Sequence, residues 1–370
     1  AHEEAPPRPA TSAMNYAKAD MPLPGVMDVI SLNYQGAGIR GIVGQYPAFR
    51  AAYPDKLILS TETASTLSSR GEYLFPVAGA ISGPVRPWSG GNPDTHQVSA
   101  YELHAADFGS SPDRVWAADD QHPYVAGEFV WTGFDYLGEP TPYYTSRSSY
   151  SGIIDLAGFP KDRYWLYQSR WRPDLKFAHI LPHWTWPGRE GQVTPVHVFS
   201  SADEAELFVN GKSQGRIKKR DYEYRFRWDY VTYAPGELRV DSWKNGQPWA
   251  SETVRTVGAP AGLSLTADRS SIADDGRDLA FVTVKIVDQD GLIVPSAKPQ
   301  IRFSIEGPGD IVATDNGDPT DLTAFPSAQR AAFNGLALAI VRARPGEAGR
   351  IVLRAEAEGL ESAQVVVTSR

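Results

Sequence analysis

The pattern that most constrains the fold is a change in strand character near residue 174. Upstream, three short apolar runs, Val26 to Leu32, Lys56 to Ser60 and Tyr124 to Trp131, each lead into polar or aromatic residues instead of a hairpin turn. Apolar strands followed by long Gly/Pro/Ser-rich loops are the mark of a parallel sheet, buried on both faces and joined by crossovers. Ser99 to Phe108 and Asp162 to Trp171 are read as helices. The second follows Pro160, carries Asp162 near its start and is closed by Pro173.

From about His183 the pattern is all-β. Val193 to Phe199, Ala205 to Val209, Tyr222 to Trp228 and Glu237 to Trp243 are strand-length runs. Asn210-Gly211 and Asn245-Gly246 are two-residue hairpin signals, because Asn and Gly tolerate the positive φ of a type I′ turn. Short strands with such turns predict a β-sandwich. A second sandwich is expected after the Gly258-Ala259-Pro260-Ala261-Gly262 linker. In its clearest strand, Leu279 to Val287, Val282, Val284 and Ile286 share one face while Thr283 and Lys285 take the other. Ile301 to Ile305, Leu336 to Ala343, Ile351 to Glu356 and Ala363 to Thr368 follow.

Three strand ends in the first part carry chemistry-bearing residues: Asn33-Tyr34, then Glu62 within the run Leu57 to Gly71, then the run Gly127 to Tyr143 with Trp131, Asp135 and Tyr136. Parallel α/β barrels place their chemistry at strand C-termini. The Glu62 run resembles the nucleophile segment of family 2 glycoside hydrolases. The order of the three strand ends resembles strands six, seven and eight of that family's (β/α)₈ barrel. The run from Trp131 to Tyr143 is the most specific match and is closest to a β-galactosidase-like branch.

The resemblance implies an α/β plus all-β chain: residues 1–174 as the C-terminal portion of a TIM-barrel catalytic domain, then immunoglobulin-like β-sandwiches at 175–258 and 259–370. It implies retaining hydrolysis of a β-glycoside, most simply a β-galactoside, with β-glucuronide and β-mannoside cleavage as alternatives. Retention needs two carboxyls about 5–5.5 Å apart, one attacking the anomeric carbon and one protonating the leaving oxygen. Glu62 matches the nucleophile. It has to be ionised, which calls for hydrogen-bond donors such as Tyr34 and the loop hydroxyls. Tyr34 matches the phenol that contacts the nucleophile, and Trp131 matches the aromatic platform of the sugar site. Asn33, Asp135 and Tyr136 are candidate sugar contacts. Capping of the core by Tyr34, barrel packing by Trp131 and a turn role for Asp135 remain open. Glu128, inside the third strand, ranks below Glu62; Glu139 and Arg70 are read as loop organisers.

The family's acid/base Glu follows an Asn at the end of barrel strand four, and no strand followed by Asn-Glu precedes Met27. Three barrel strands also leave two unpaired edges. The expected partner is therefore the N-terminal part of the same enzyme, as a separate segment, with homo-oligomerisation left open. A non-catalytic carbohydrate-binding or accessory chain is the rival reading.

Other function classes fare worse. A net charge of −8 argues against nucleic acid, which needs a basic face. No apolar run of membrane-spanning length and no signal-peptide pattern is present, so no membrane partner is expected; a periplasmic or secreted setting is favoured. With no cysteine there are no disulfides or thiolate metal sites. The seven His form no zinc motif, so no cofactor is assignable; a metal in the complete barrel stays open. Asp315-Asn316-Gly317-Asp318-Pro319 resembles part of a calcium loop but is read as a turn. Ten Trp and seventeen Tyr lean towards carbohydrate, although Trp184, Trp186, Trp228, Trp243 and Trp249 are read as core packing.

Overall fold

The computed structural model describes residues 8–38 and 43–370. Its first part holds a parallel sheet of four strands, Ala13–Met14, Val29–Asn33, Leu57–Ala64 and Val125–Trp131, in that spatial order. The three expected strands are present. The fourth, Ala13–Met14, has two residues and therefore no periodicity to read. Register pairs Asn33 with Glu62 and Ala64 with Trp131, so all three chemistry-bearing strand ends meet at one edge.

The helices Tyr46–Ala52, Pro112–Gln121 and Asp162–Trp171 accompany the sheet. Ile30, Leu32 and Ile58 pack on Tyr46 and Phe49 in one core; Ala64 and Val130 join Trp116, Leu166 and Tyr167 in another. The expected helix over Ser99 to Phe108 does not form. Residues 97–106 are all buried, leaving no polar face for an amphipathic helix. Glu102 takes φ +57°, and His104–Ala105 pairs in parallel with Gly83–Pro84.

Residues beyond 177 build two pairs of sheets. In the first, a three-stranded sheet ordered Phe226–Trp228, Val196–Phe199, His179–Leu181 shares a core with a four-stranded one ordered Lys212–Lys218, Glu204–Val209, Glu237–Lys244, Gln247–Arg255. Both predicted turns have positive φ at Asn and Gly, +49° and +79° at 210–211 and +51° and +73° at 245–246. Trp184 and Trp228 are buried in this core, with Trp186 and Trp249 packed against it. In the second pair, four- and five-stranded sheets enclose Val282, Val284 and Ile286, the face read from the sequence of Leu279–Val287, together with Ala280.

The parts are locked by buried charge. Arg70, from the loop after the Glu62 strand, pairs with Asp155 at 2.6 Å and donates to the carbonyls of Asn316 (2.8 Å) and Phe333 (2.9 Å). Arg147 pairs with Asp315 at 2.5 Å, and Gln97 reaches Asp318 at 2.9 Å. The run 315–319 is thus a docking turn. Gly317 sits at φ +76°, and a Cβ there would lie 1.9 Å from an Asp155 oxygen. Arg225 of the middle sheets is buried against Asp113, and Tyr101 donates to Pro195 O at 2.6 Å.

Candidate active site

A strand normally alternates its side chains between two faces. Ser60 bonds the Tyr46 hydroxyl at 2.5 Å, and Thr63 donates to Glu128 at 2.7 Å, so both face the helical layer although they are three apart. An irregularity between 60 and 63 inserts the extra residue. It turns Glu62, which lies between them, away from the helices. Ala64 and Ser65 then take left-handed conformations, φ +63° and +51°, and end the strand.

Tyr34 lies one residue past the neighbouring strand at φ +59°, its N–H donated to Glu62 O at 2.7 Å. This turn brings the phenol to the Glu62 side chain, near enough for the carboxylate to act on it. Burial, and then Glu62, hold the phenol far above its ordinary range, so it stays a donor. Tyr136 and Glu139 lie within electrostatic reach of the same phenol. Phe108 packs edge-on against Tyr34, ring centroids 5.0 Å apart.

Phe108 also lines a cavity of about 340 Å³ whose walls include Ser65, Trp131, Tyr136, Glu139 and Tyr144. Trp131 is half-buried and meets Tyr136 edge-to-face at 5.9 Å. The Tyr136 hydroxyl donates to Glu139; burial first, and then Glu139, push that phenol up to about 12. Stacking faces and paired polar tips are what a pyranose ring requires. Among the described residues, no group of three or more His, Asp or Glu is arranged to hold a metal ion.

The structure brings Glu62, Tyr34, Trp131 and Tyr136 together, while two other candidates are engaged by protein partners. Asn33 is buried, its Oδ1 accepting from Thr61 at 2.7 Å in the sheet. Asp135 is 5% exposed, ion-paired to Lys161 at 2.6 Å and accepting from Gly152 N–H at 2.7 Å. Its carboxylate is spent inside the protein, which corrects the expectation of a sugar contact. Glu128 accepts from Trp116 (2.6 Å) and Thr63 behind the sheet; burial pushes its carboxyl up. Sequence reading missed Phe108 and Tyr144. Phe108 was hidden in the helix expected there, while Tyr144 stands one residue beyond the recognised run and carried no signal.

Residues 263–366 match the family model described as glycoside hydrolase family 2 C-terminal domain 5, and residues 191–250 match a domain of unknown function, DUF4982. The chain is similar to "Beta-galactosidase BoGH2A" of Bacteroides ovatus, 39% identical over 98% of the chain and 42% of that relative. A "Putative beta-glucuronidase" of Formosa agariphila is 33% identical over 64% of the chain and 23% of its own length. The crystal structure of a beta-glycosidase from Bacteroides vulgatus superposes with TM-score 0.83 at 27% identity, covering 99% of this chain and 47% of that one. The chain thus spans less than half the length of these relatives. With the domain match, the near-complete coverage by a 39% identical relative and the shared fold, the chain belongs to glycoside hydrolase family 2 and corresponds to a C-terminal part of its members.

Proposed function

We propose that the protein is a retaining β-glycoside hydrolase, and specifically a β-galactosidase, with Glu62 as nucleophile. The observation that carries the reading is the turn at Tyr34, whose N–H bonds Glu62 O at 2.7 Å and sets the phenol beside the Glu62 carboxylate where the strands of a parallel sheet end. In this reading residues 1–174 are the last part of a (β/α)₈ barrel, and 175–258 and 259–370 are immunoglobulin-like sandwiches. Glu62 attacks the anomeric carbon as the glycosidic C–O bond breaks. A Glu on the remaining part of the enzyme protonates the leaving oxygen and then, as a base, takes a proton from the water that releases the sugar. Trp131 and Tyr136 hold the ring. Export to the periplasm or medium belongs to the same proposal, to be checked by fractionating the source cells.

Galactoside over glucuronide is favoured by the cavity walls. Among the described residues, none that lines the cavity is cationic and Glu139 adds a negative charge, which opposes a uronate carboxylate there. The 39% identical relative bears the name of a β-galactosidase, which supports the same choice.

The test is a 2-deoxy-2-fluoro-β-galactoside with an activated leaving group, applied to the complete enzyme and followed by peptide mapping. A sugar adduct on Glu62, with none from the corresponding glucuronide, is the expected outcome. A folded, complete enzyme with no labelled carboxylate would overturn the assignment.

A further inference from the structure

The extra residue in the Glu62 strand is registered by both of its neighbours. On one side Leu32 and Asn33 pair with Ser60 and Glu62, and on the other Glu128 and Val130 pair with Ser60 and Thr63. A bulge leaves its extra residue outside the ladder, so backbone bonds alone do not fix its shape. Three hydroxyls around Glu62 hold it instead, each bonded to a different element. Ser60 bonds the Tyr46 hydroxyl at 2.5 Å, and Tyr46 donates in turn to Asp119 at 2.8 Å. Thr61 donates to Asn33 at 2.7 Å. Thr63 donates to one oxygen of Glu128 at 2.7 Å, while the other oxygen accepts from Trp116 at 2.6 Å.

Glu128 differs from the other two anchors. Its backbone pairs with Ser60 below the bulge and its carboxylate takes Thr63 above it, so one residue spans the irregularity. We propose that Glu128 is a positioning residue for the reaction: acting through Thr63, it fixes the bulge that aims Glu62 at the anomeric carbon. The inference rests on the reading of Glu62 given above.

The surroundings of Glu128 suit this role. Ser60, Thr63 and Trp116 are all buried, and Trp116 meets Tyr167 and Tyr224 edge-on, with ring centroids 5.1 and 5.3 Å away. The anchor is therefore packed in place. An apolar side chain would fill the space behind the sheet at less cost, since a carboxyl taken from water has to be offset by its bonds. Such a side chain could not hold Thr63 at a set distance and direction. That direction matters, because misplacing a reacting group by about 1 Å can slow a reaction about 100-fold.

The experiment follows trapping of the complete enzyme by the 2-fluoro-galactoside, resolved into the affinity of the first complex and the rate of bond formation at saturation. Thr63→Val keeps the shape of the side chain and removes its hydroxyl. It should lower the rate at saturation about 10- to 100-fold and leave the affinity little changed. Glu128→Ala should do the same, and the double variant should be no slower than the slower single one, because both remove the same bond. Glu128→Gln should recover most of the loss, its carbonyl accepting from Trp116 and its amide donating to Thr63. A Gln variant as slow as the Ala variant would overturn the hydrogen-bonded strap. So would a lower thermal midpoint with native trapping rates in the folded Thr63→Val and Glu128→Ala enzymes, the result a purely structural role predicts. If Glu128→Ala does not fold, Thr63→Val decides alone, and a native rate there overturns the proposal. A native enzyme labelled on a carboxylate other than Glu62 would remove the Glu62 reading and the positioning role with it. Labelling of Glu62 at one rate in every variant overturns the positioning role alone.

Discussion

Tyr34 shows how much of a site rests on one backbone angle. A non-glycine residue at φ +59° is uncommon, and such residues persist where their surroundings hold them in place. Here the Tyr34 N–H bond to Glu62 O at 2.7 Å holds the turn, and the turn carries the phenol to the Glu62 carboxylate. A hydrogen bond to a charged group is worth about 1.5–3 kcal/mol. Tyr34→Phe in the complete enzyme should therefore lower kcat/KM about 10- to 100-fold, with the thermal midpoint little changed. Steady-state kinetics and a melting curve together check this. Asp135 teaches the converse. Its place in a recognised run made it a candidate, yet Lys161, contributed by the start of a helix 26 residues later in the chain, claims its charge.

At the level of elements, the loop that follows the Glu62 strand is buried from Ala64 to Arg70, so its backbone groups need partners inside the protein. The helix Asp162–Trp171 and the residue before it supply them. Lys161 donates to Ser68 O (2.8 Å) and Tyr150 O (3.1 Å); Arg163 donates to Thr66 O, Ser151 O, Tyr150 O and the Ser68 hydroxyl. Arg163 is itself ion-paired to the buried Glu102 at 2.9 Å. Removing one member of a buried pair strands the other, at a cost of about 3–5 kcal/mol. Arg163→Met should destabilise the protein by that order in denaturant titration, and the double variant with Glu102→Gln should recover part of the loss. Equal stabilities of the single and double variants would show that Glu102 is not the stranded charge. The helix was legible because its Pro and Asp signals are local. The residues 99–108 were not, because their burial on all sides comes from neighbours distant in the chain.

Across the whole molecule the first and middle parts meet at histidines as well as at ion pairs. His183 stacks on Trp186 at 4.0 Å and meets Tyr73 edge-on; burial lowers it to about 4 against the opposing charge of Asp162. His104 is lowered to about 4 by burial, and His197, packed on Tyr101, is lowered too. A histidine held neutral in the folded state contributes stability that is present above pH ~6.5 and is lost as pH falls towards ~4, because only the unfolded chain takes up the proton. Asp119, raised to about 7 by burial, acts in the opposite sense across the acid range. The test is thus a difference between variants. His183→Phe keeps an aromatic ring on Trp186 and cannot titrate, so it should lose less stability than the native protein between about pH 7.5 and pH 5, by about 1–2 kcal/mol. Parallel thermal melts at the two pH values check it, and identical losses would refute it.

What the sequence determined by itself follows from short-range physics. Strand runs that lead into loops, Asn-Gly hairpins and helix-stop prolines act over a few residues, so the parallel sheet, both I′ turns and the helix at Asp162 could be read without coordinates. The family resemblance rested on residues contiguous in the chain, around Glu62 and from Trp131 to Tyr143. Only the tertiary structure decided which of those residues share a site. The extra residue between Ser60 and Thr63 that turns Glu62 from the helices, the burial of Asp135 on Lys161, and the approach of Phe108 and Tyr144 all depend on contacts between segments far apart in the chain. Such contacts are set by how whole elements pack, and packing leaves no periodic trace in any one segment.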